Sequence, residues 1–419
     1  MSKLPPPATA SAADDRTPPT VVYRRCLLEA ITPRGLLSFG PDTPRISLGA
    51  LNVLVGPNGS GKSNLLEIVN LLRHTPADLG RFVSQHGGVS EWIWKGRPDA
   101  EATLGAESES RHLLASQDAT IEHTLTVRHF GGRLWLTGER VVEFGAGTDA
   151  DPPFELYAFA NGRATIASAI VADGRPRELP RRSAEPEGSV LASRRDPDFY
   201  PELASLAHEY GRIALYREWR FGRHSTLRQP QPADLRNDRL EEDFSNLGLV
   251  LNRMRRQPRT KAALIERLRD LYDGLTDVDV IVEGGTVQVF FTEGDYVIPA
   301  TRLSDGSLRY LCLLAILLDP DPPPLIGLEE PELGLHPDLL PKIADLLVEA
   351  SARTQLIVTT HSDAIIDALS DRPESVVVFD KHDGRTTFER LDRAALAGWL
   401  EKYRLGQLWT RGQIGGTRW

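Results

Sequence analysis

LNVLVGPNGSGKSNLLEIVNLL, residues 51–72, decides the fold. An apolar run stops at Gly56, and Gly56-Pro57-Asn58-Gly59-Ser60-Gly61-Lys62-Ser63 then matches G-x-x-x-x-G-K-[ST]. Beyond Asn64, the residues Leu65, Leu66, Ile68, Val69, Leu71 and Leu72 lay a broad apolar face along a helix. Buried strand, glycine-rich loop and helix together form the setting in which such a loop cradles phosphates. The glycines let successive backbone N–H groups converge on phosphate oxygens, and the helix N-terminus adds positive potential. Lys62 is expected to reach the β- and γ-phosphates, the Ser63 hydroxyl to ligate Mg²⁺, and Asn64 to stand with the loop. The ligand implied is Mg-ATP.

Three further stretches repeat the pattern of an apolar element ending in polar groups. Pro324-Leu325-Ile326-Gly327-Leu328-Glu329-Glu330-Pro331-Glu332 is an apolar strand closed by carboxylates. Beside a phosphate loop, Glu329 suits the metal, while Glu330 can orient and deprotonate the attacking water. Leu303-Ser304-Asp305-Gly306-Ser307 leads into the apolar helix RYLCLLAILL, so Ser304 and Gly306 mark a second helix N-terminus facing outward. Gln355-Leu356-Ile357-Val358-Thr359-Thr360-His361-Ser362 is a third apolar strand, ending in a His that can hydrogen-bond a γ-phosphate, with Ser362 placed to cap a helix.

The rest of the chain divides around these motifs. Residues 1–20, rich in Pro, Ala and polar side chains, lack the apolar stretch of a signal peptide and read as a disordered tail. Residues 21–90 form the first half of an α/β core, with strands expected at CLLEAI, GLLSF and ALNVLV. Residues 91–198 form a β-rich lobe and linker; TIEHTLTVRHF and RLWLTGERVVEF flank Gly131-Gly132 as a hairpin, and ELYAFANGRATI is another. Residues 199–275 are expected to be helical, notably in DRLEEDFSNLGLVLNRMRR and from Thr260 to Leu275. Residues 276–390 complete the core, and 391–419 add a helix and a Trp/Gly-rich tail. An insertion of domain size thus splits the core.

Composition fits a soluble globular protein, with 41% hydrophobic and 26% charged residues and a net charge of −9. Cys26 and Cys312 lack metal-ligand spacing, and their scarcity suits a reducing compartment. No apolar run is long enough to span a membrane: Leu308 to Leu318 is too short and contains Arg309. A cytoplasmic location follows, with no membrane partner.

Phosphate loop, SDGS, LEEPE and TTHS stand in an order that resembles the ABC ATPase superfamily, with its Walker A, signature, Walker B and H-loop motifs. The Leu303-Ser304-Asp305-Gly306-Ser307 form is similar to the RecF/SMC branch and to related ATPases linked to DNA repair, abortive infection and phage defence. The resemblance implies an ABC-type head, a mixed or parallel sheet with flanking helices, carrying a β plus α-helical insertion. It also implies that two heads pair head to tail, so that ATP on Lys62 of one copy meets Ser304 and Gly306 of the other. Glu332–Pro337 would occupy the D-loop position. By the same resemblance Arg34 matches a nucleotide-contacting Arg and Gln85 a metal-side Q-loop Gln; each reads equally as a solvated polar residue.

The implied partners are a second copy of the chain, DNA, and an effector or nuclease protein encoded nearby. For nucleic acid the best local features are Arg253, Arg255, Arg256, Arg259 and Lys261, together with Arg212, Arg217, Arg220 and Arg223 interleaved with Tyr216, Trp219 and Phe221. Fewer than sixty residues follow His361, too few for a nuclease domain, so any cleavage must come from a partner. A regulatory ATPase that controls a toxin or effector without touching nucleic acid is the alternative. A transporter subunit suits neither the insertion nor the altered signature.

Overall fold

The computed structural model describes residues 26–109, 119–145, 153–167, 177–179 and 188–415. The N-terminal tail, half of the Pro- and charge-rich linker at 173–196 and the last four residues lie outside them.

Five apolar strands that need cover on both faces build the centre. A six-stranded sheet runs, edge to edge, through Ala214–Tyr216, Leu325–Glu329, Gln355–Thr359, Leu51–Val55, Val376–His382 and Arg385–Arg390. All neighbours are parallel except the last pair. The strand before the phosphate loop is buried at every residue, as is Gln355–Thr359, so both read as continuous apolar runs. Lys62–His74 and Asp305–Leu317 cover the sheet, and the latter helix buries Ser307 through Leu317 without a break.

A second, eight-stranded antiparallel sheet holds the β-rich lobe. Its hairpins Thr120–Phe130/Arg133–Phe144 and Phe154–Ala160/Arg163–Ile166 alternate buried and half-exposed residues, as the sequence predicts. A smaller antiparallel sheet is built on Leu275–Glu283 and Thr286–Glu293.

Five expectations need correction. CLLEAI does form a strand, Leu28–Arg34, but it pairs with Ala102–Glu109 of the eight-stranded sheet and not with the phosphate-loop strand. GLLSF is a loop, tethered by a single bridge from Leu36 to Ile93. The stretch from 238 is helical only over Leu247–Met254, because Asn246 gathers the preceding loop: its side chain donates to Arg236 and Arg239 carbonyls and accepts from Glu241 N–H. The helix expected from Thr260 is Pro258–Leu268, and the chain turns into the strand Leu275–Glu283. Residues 199–275 also carry Ala214–Tyr216, an edge strand of the central sheet, so this segment is not purely helical.

Candidate phosphate and metal site

The phosphate loop hangs between the buried strand Leu51–Val55 and the helix Lys62–His74, and two distant segments hold it. Thr386 donates from Oγ1 to the Ser60 carbonyl at 2.8 Å, and its hydroxyl lies 2.7 Å from Ser38 Oγ, which in turn accepts from Asn64 Nδ2 at 2.6 Å. Gly61 has φ +106°, and a Cβ there would sit 2.1 Å from Thr386 Oγ1. Conformation and contact both require glycine at this position. Pro57, Asn58 and Gly59 form the rim of the turn, closed by Ser60 N–H to the Pro57 carbonyl at 3.2 Å.

Lys62 donates to the carbonyls of Gly56 at 2.8 Å and Pro57 at 3.1 Å. Burial pulls its pKa down to about 8, with Glu330 and Glu329 opposing the shift. Ser63, next on the helix, donates from its hydroxyl to Glu329.

Glu329 ends its strand level with Thr359 of the neighbouring strand. Glu330 follows with φ +45°, a left-handed backbone rare for a non-glycine residue, held by Glu330 N–H to the Thr359 carbonyl at 3.0 Å. Its carboxylate lies 3.5 Å from His361 Nε2. Burial and the nearby Lys62 charge lower the His361 pKa, opposed by Glu330, so the ring is neutral near pH 7. Glu332 accepts from Thr360 Oγ1 at 2.6 Å and from His361 N–H at 2.9 Å; burial pushes its pKa up. Lys62, Ser63, Glu329, Glu330 and His361 therefore converge.

Ser63 and Glu329 present a hydroxyl and a carboxylate oxygen in contact, the hard oxygen donors that Mg²⁺ takes, so the residues fit that ion. Among the described residues no three His, Cys, Asp or Glu side chains cluster as a self-sufficient metal site.

Ser304 caps its helix as expected, accepting from Ser307 N–H at 3.1 Å, and it is exposed. A Cβ on Gly306 would lie 2.8 Å from the Gly334 carbonyl, so this turn packs directly on the loop after Glu332. No hydrogen bond of Ser304 or Gly306 reaches the phosphate loop of the same chain. Arg34 donates to the Thr43 carbonyl at 3.3 Å; it is Ser38, from the same loop, that touches the phosphate loop. Gln85 ends the helix Leu79–Gln85 and is exposed, whereas its neighbour His86 lines the polar cavity that Glu329 also lines.

Sequence reading missed Arg217 and Trp219 at this site. Arg217 Nε donates to Glu329 at 2.8 Å and Nη1 to Glu67 at 2.6 Å, while Trp219 Nε1 donates to the Glu329 carbonyl at 2.7 Å. Burial works against the Arg217 charge, but bonds to the two carboxylates more than offset it. Trp219 and Phe221 turn inward onto Phe244, with the Arg309 guanidinium 5.1 Å from each of their ring centres. Tyr216, Arg217, Trp219 and Phe221 of the basic-aromatic stretch read as a nucleic-acid surface thus form a packed wall of the site, while Arg220 and Arg223 are exposed. In the other basic cluster Arg253 pairs with Asp319, Arg255 with Asp279 and Lys261 with Asp277, while Arg256 and Arg259 stand exposed.

Comparison with known proteins agrees with this geometry. Residues 51–367 match the family model described as AAA domain, putative AbiEii toxin, type IV TA system. No curated protein matches the chain. Among solved structures it is similar to an Smc head bound to the C-terminal winged-helix domain of ScpA, at 14% identity and a TM-score of 0.54, covering 88% of this chain and 99% of that one. It is also similar to a Pyrococcus furiosus Smc head with an extended coiled coil bound to the C-terminal domain of ScpA, at 14% identity and a TM-score of 0.51, covering 90% and 99%. At such identity the likeness carries the fold. No helix among the described residues is long and apolar enough to cross a membrane. With three quarters of its length matched, and with the fold of an SMC head, this chain belongs to the family described as AAA domain, putative AbiEii toxin, type IV TA system.

Proposed function

We propose that the chain hydrolyses Mg-ATP at a composite site formed when two heads pair. The observation that carries the reading is the convergence of Lys62, Ser63, Glu329, Glu330 and His361, while Ser304 stands exposed, with half-buried Gly306, on a separate helix end of the same chain. Ser63 and Glu329 would hold Mg²⁺, which when bound neutralises charge on the β- and γ-phosphates. Lys62 exchanges its bonds to loop carbonyls for bonds to phosphate. Glu330 accepts a proton from the attacking water, and its left-handed backbone aims the carboxylate past the strand end. His361, neutral and next to Glu330, donates to the transferring phosphate. Ser304 and the helix N-terminus behind it supply the partner head's anion site.

Lys62→Ala should lose ATP binding, read by calorimetry. Glu330→Gln keeps the size and removes the base, so ATP should bind and turn over scarcely, and the variant should accumulate as an ATP-dependent dimer. Adding Ser304→Arg should dissolve that dimer by placing bulk and charge in the partner's phosphate site. Normal hydrolysis by Glu330→Gln, or a monomer at saturating ATP, sinks the paired-head reading.

We infer a role in defence, or in control of an effector protein, over a general DNA-binding role. The family description supports the former, and the pairing of Arg253, Arg255 and Lys261 with carboxylates leaves less free basic surface for the latter. Titrating fluorescent duplex and single-stranded DNA at low salt with ATP tests this, since tight, salt-dependent binding would restore the nucleic-acid reading.

A further inference from the structure

The structure assigns to Arg217 the place of a built-in cation: it fills a latent divalent-metal position between Glu67 and Glu329, so that metal enters the site only together with a nucleotide. The inference rests on reading Glu329 as the metal-side carboxylate. Strand register puts Arg217 there, because Tyr216 pairs with Leu328 and the next residues on the two strands are Arg217 and Glu329. Glu67 arrives from the other side, one turn along the phosphate-loop helix from Ser63, on the same face. Arg217 then spans them, with Nε on Glu329 Oε2 at 2.8 Å and Nη1 on Glu67 Oε1 at 2.6 Å.

Every oxygen of Glu329 is accounted for: Oε1 by Ser63, Oε2 by Arg217 and the carbonyl by Trp219. Glu67 Oε2, in contrast, is buried with no hydrogen-bond partner. Two half-buried carboxylates, one with an idle oxygen, and a hydroxyl make a hard oxygen set of the kind divalent cations take. The chain meets that demand with a guanidinium, whose planar fork matches two carboxylates and which cannot lose its charge near neutral pH. A free cation approaching Glu329 therefore meets a fixed positive charge on the far oxygen. ATP brings the negative charge that makes the near oxygen and Ser63 worth coordinating. Removing the guanidinium from any ion pair unmasks charge, so this role and that of a plain tie between strand and helix separate on whether the gained site needs Glu67 as well as Glu329.

The test is a Mn²⁺ titration of the full-length, nucleotide-free protein, followed by electron paramagnetic resonance of the free ion. Wild type should show no saturable site at sub-millimolar Mn²⁺. Arg217→Met should gain one, with affinity up on the order of ten-fold or more, since a nearby like charge has gone. Arg217→Gln, neutral but able to hydrogen-bond, should do the same and serves if the Met variant folds poorly. The double variant Arg217→Met/Glu67→Gln should return to the wild-type baseline. If neither single variant gains Mn²⁺, or if the double variant keeps the gain, the assignment is wrong. Because no nucleotide is present, this outcome is independent of whether Glu330 and Lys62 support hydrolysis. Loss of ATP binding or turnover in their variants tests that reading separately.

Discussion

Thr386→Val tests how the phosphate loop is held. Valine keeps the shape of threonine and replaces a hydroxyl by a methyl, so the backbone bond from Thr386 N–H to the Ser38 carbonyl at 2.9 Å survives. Two bonds vanish, one to the Ser60 carbonyl at 2.8 Å and one to Ser38 Oγ at 2.7 Å. Thr386 is 4% exposed, so water cannot readily replace them. A buried polar group left without its partner costs about 1–3 kcal/mol, and two partners are affected, so the loss should be ~2–4 kcal/mol. The new methyl also faces Gly61, where even a Cβ would be 2.1 Å from the present oxygen. Whatever share of the loss loosens the loop appears as weaker nucleotide binding, at a factor of ten for each ~1.4 kcal/mol. The expected result is a lower urea midpoint and Mg-ATP affinity reduced about ten-fold, with Thr386→Ser close to wild type. Calorimetry and urea melts read both quantities. An unchanged affinity and midpoint in Thr386→Val would show that the hydroxyl does not hold the loop.

With its pKa lowered to about 8, Lys62 is part neutral there and becomes fully charged against phosphate, so binding takes up protons. Uptake should approach about half a proton at pH 8 and fall to about a tenth at pH 7, seen as a buffer-dependent binding enthalpy. A binding enthalpy identical in all buffers at pH 8 would contradict the shift. Gly306→Ala forces a contact of 2.8 Å with the Gly334 carbonyl apart, at a cost of about 1–3 kcal/mol. ATP binding to the isolated head should survive and turnover should fall; a wild-type rate would rule out a role for that packing. Arg253→Ala strands Asp319, whose side chain is 4% exposed, beside its lost partner at 2.6 Å. Stability should drop by about 3 kcal/mol in urea melts, with any DNA affinity unmoved.

The local parts of this site could be read from the sequence, because their physics is local. Gly61, Lys62 and Ser63 sit in one loop, Ser304 and Ser362 cap the helices that begin beside them, and Glu329 and Glu330 end an apolar run. What escaped reading was set by partners far along the chain. Thr386 reaches Ser60 across 326 positions and Arg217 reaches Glu329 across 112, and nothing near either residue announces the contact. The pairing of Arg253, Arg255 and Lys261 was hidden for the same reason: charge is visible in a sequence, while Asp319, Asp279 and Asp277, which face those cations, become visible only in the fold. The helix expected over 238–246 failed because an Asn side chain offered the backbone a competing set of hydrogen bonds.

The phosphate loop begins at Gly56, yet its clamp at Thr386 comes about 330 residues later, on the last strand, Arg385–Arg390. At ribosomal speeds of about 5–20 residues per second, some 15–70 s separate synthesis of the loop from synthesis of the clamp. Strands between them must wait for non-local partners, the slow step in folding of such sheets. A nascent or truncated chain that stops short of residue 386 thus carries a complete Walker sequence held by Ser38 but without the Thr386 clamp. The order of the strands acts as a timer, delaying this clamp on the phosphate loop until residue 386 has been made.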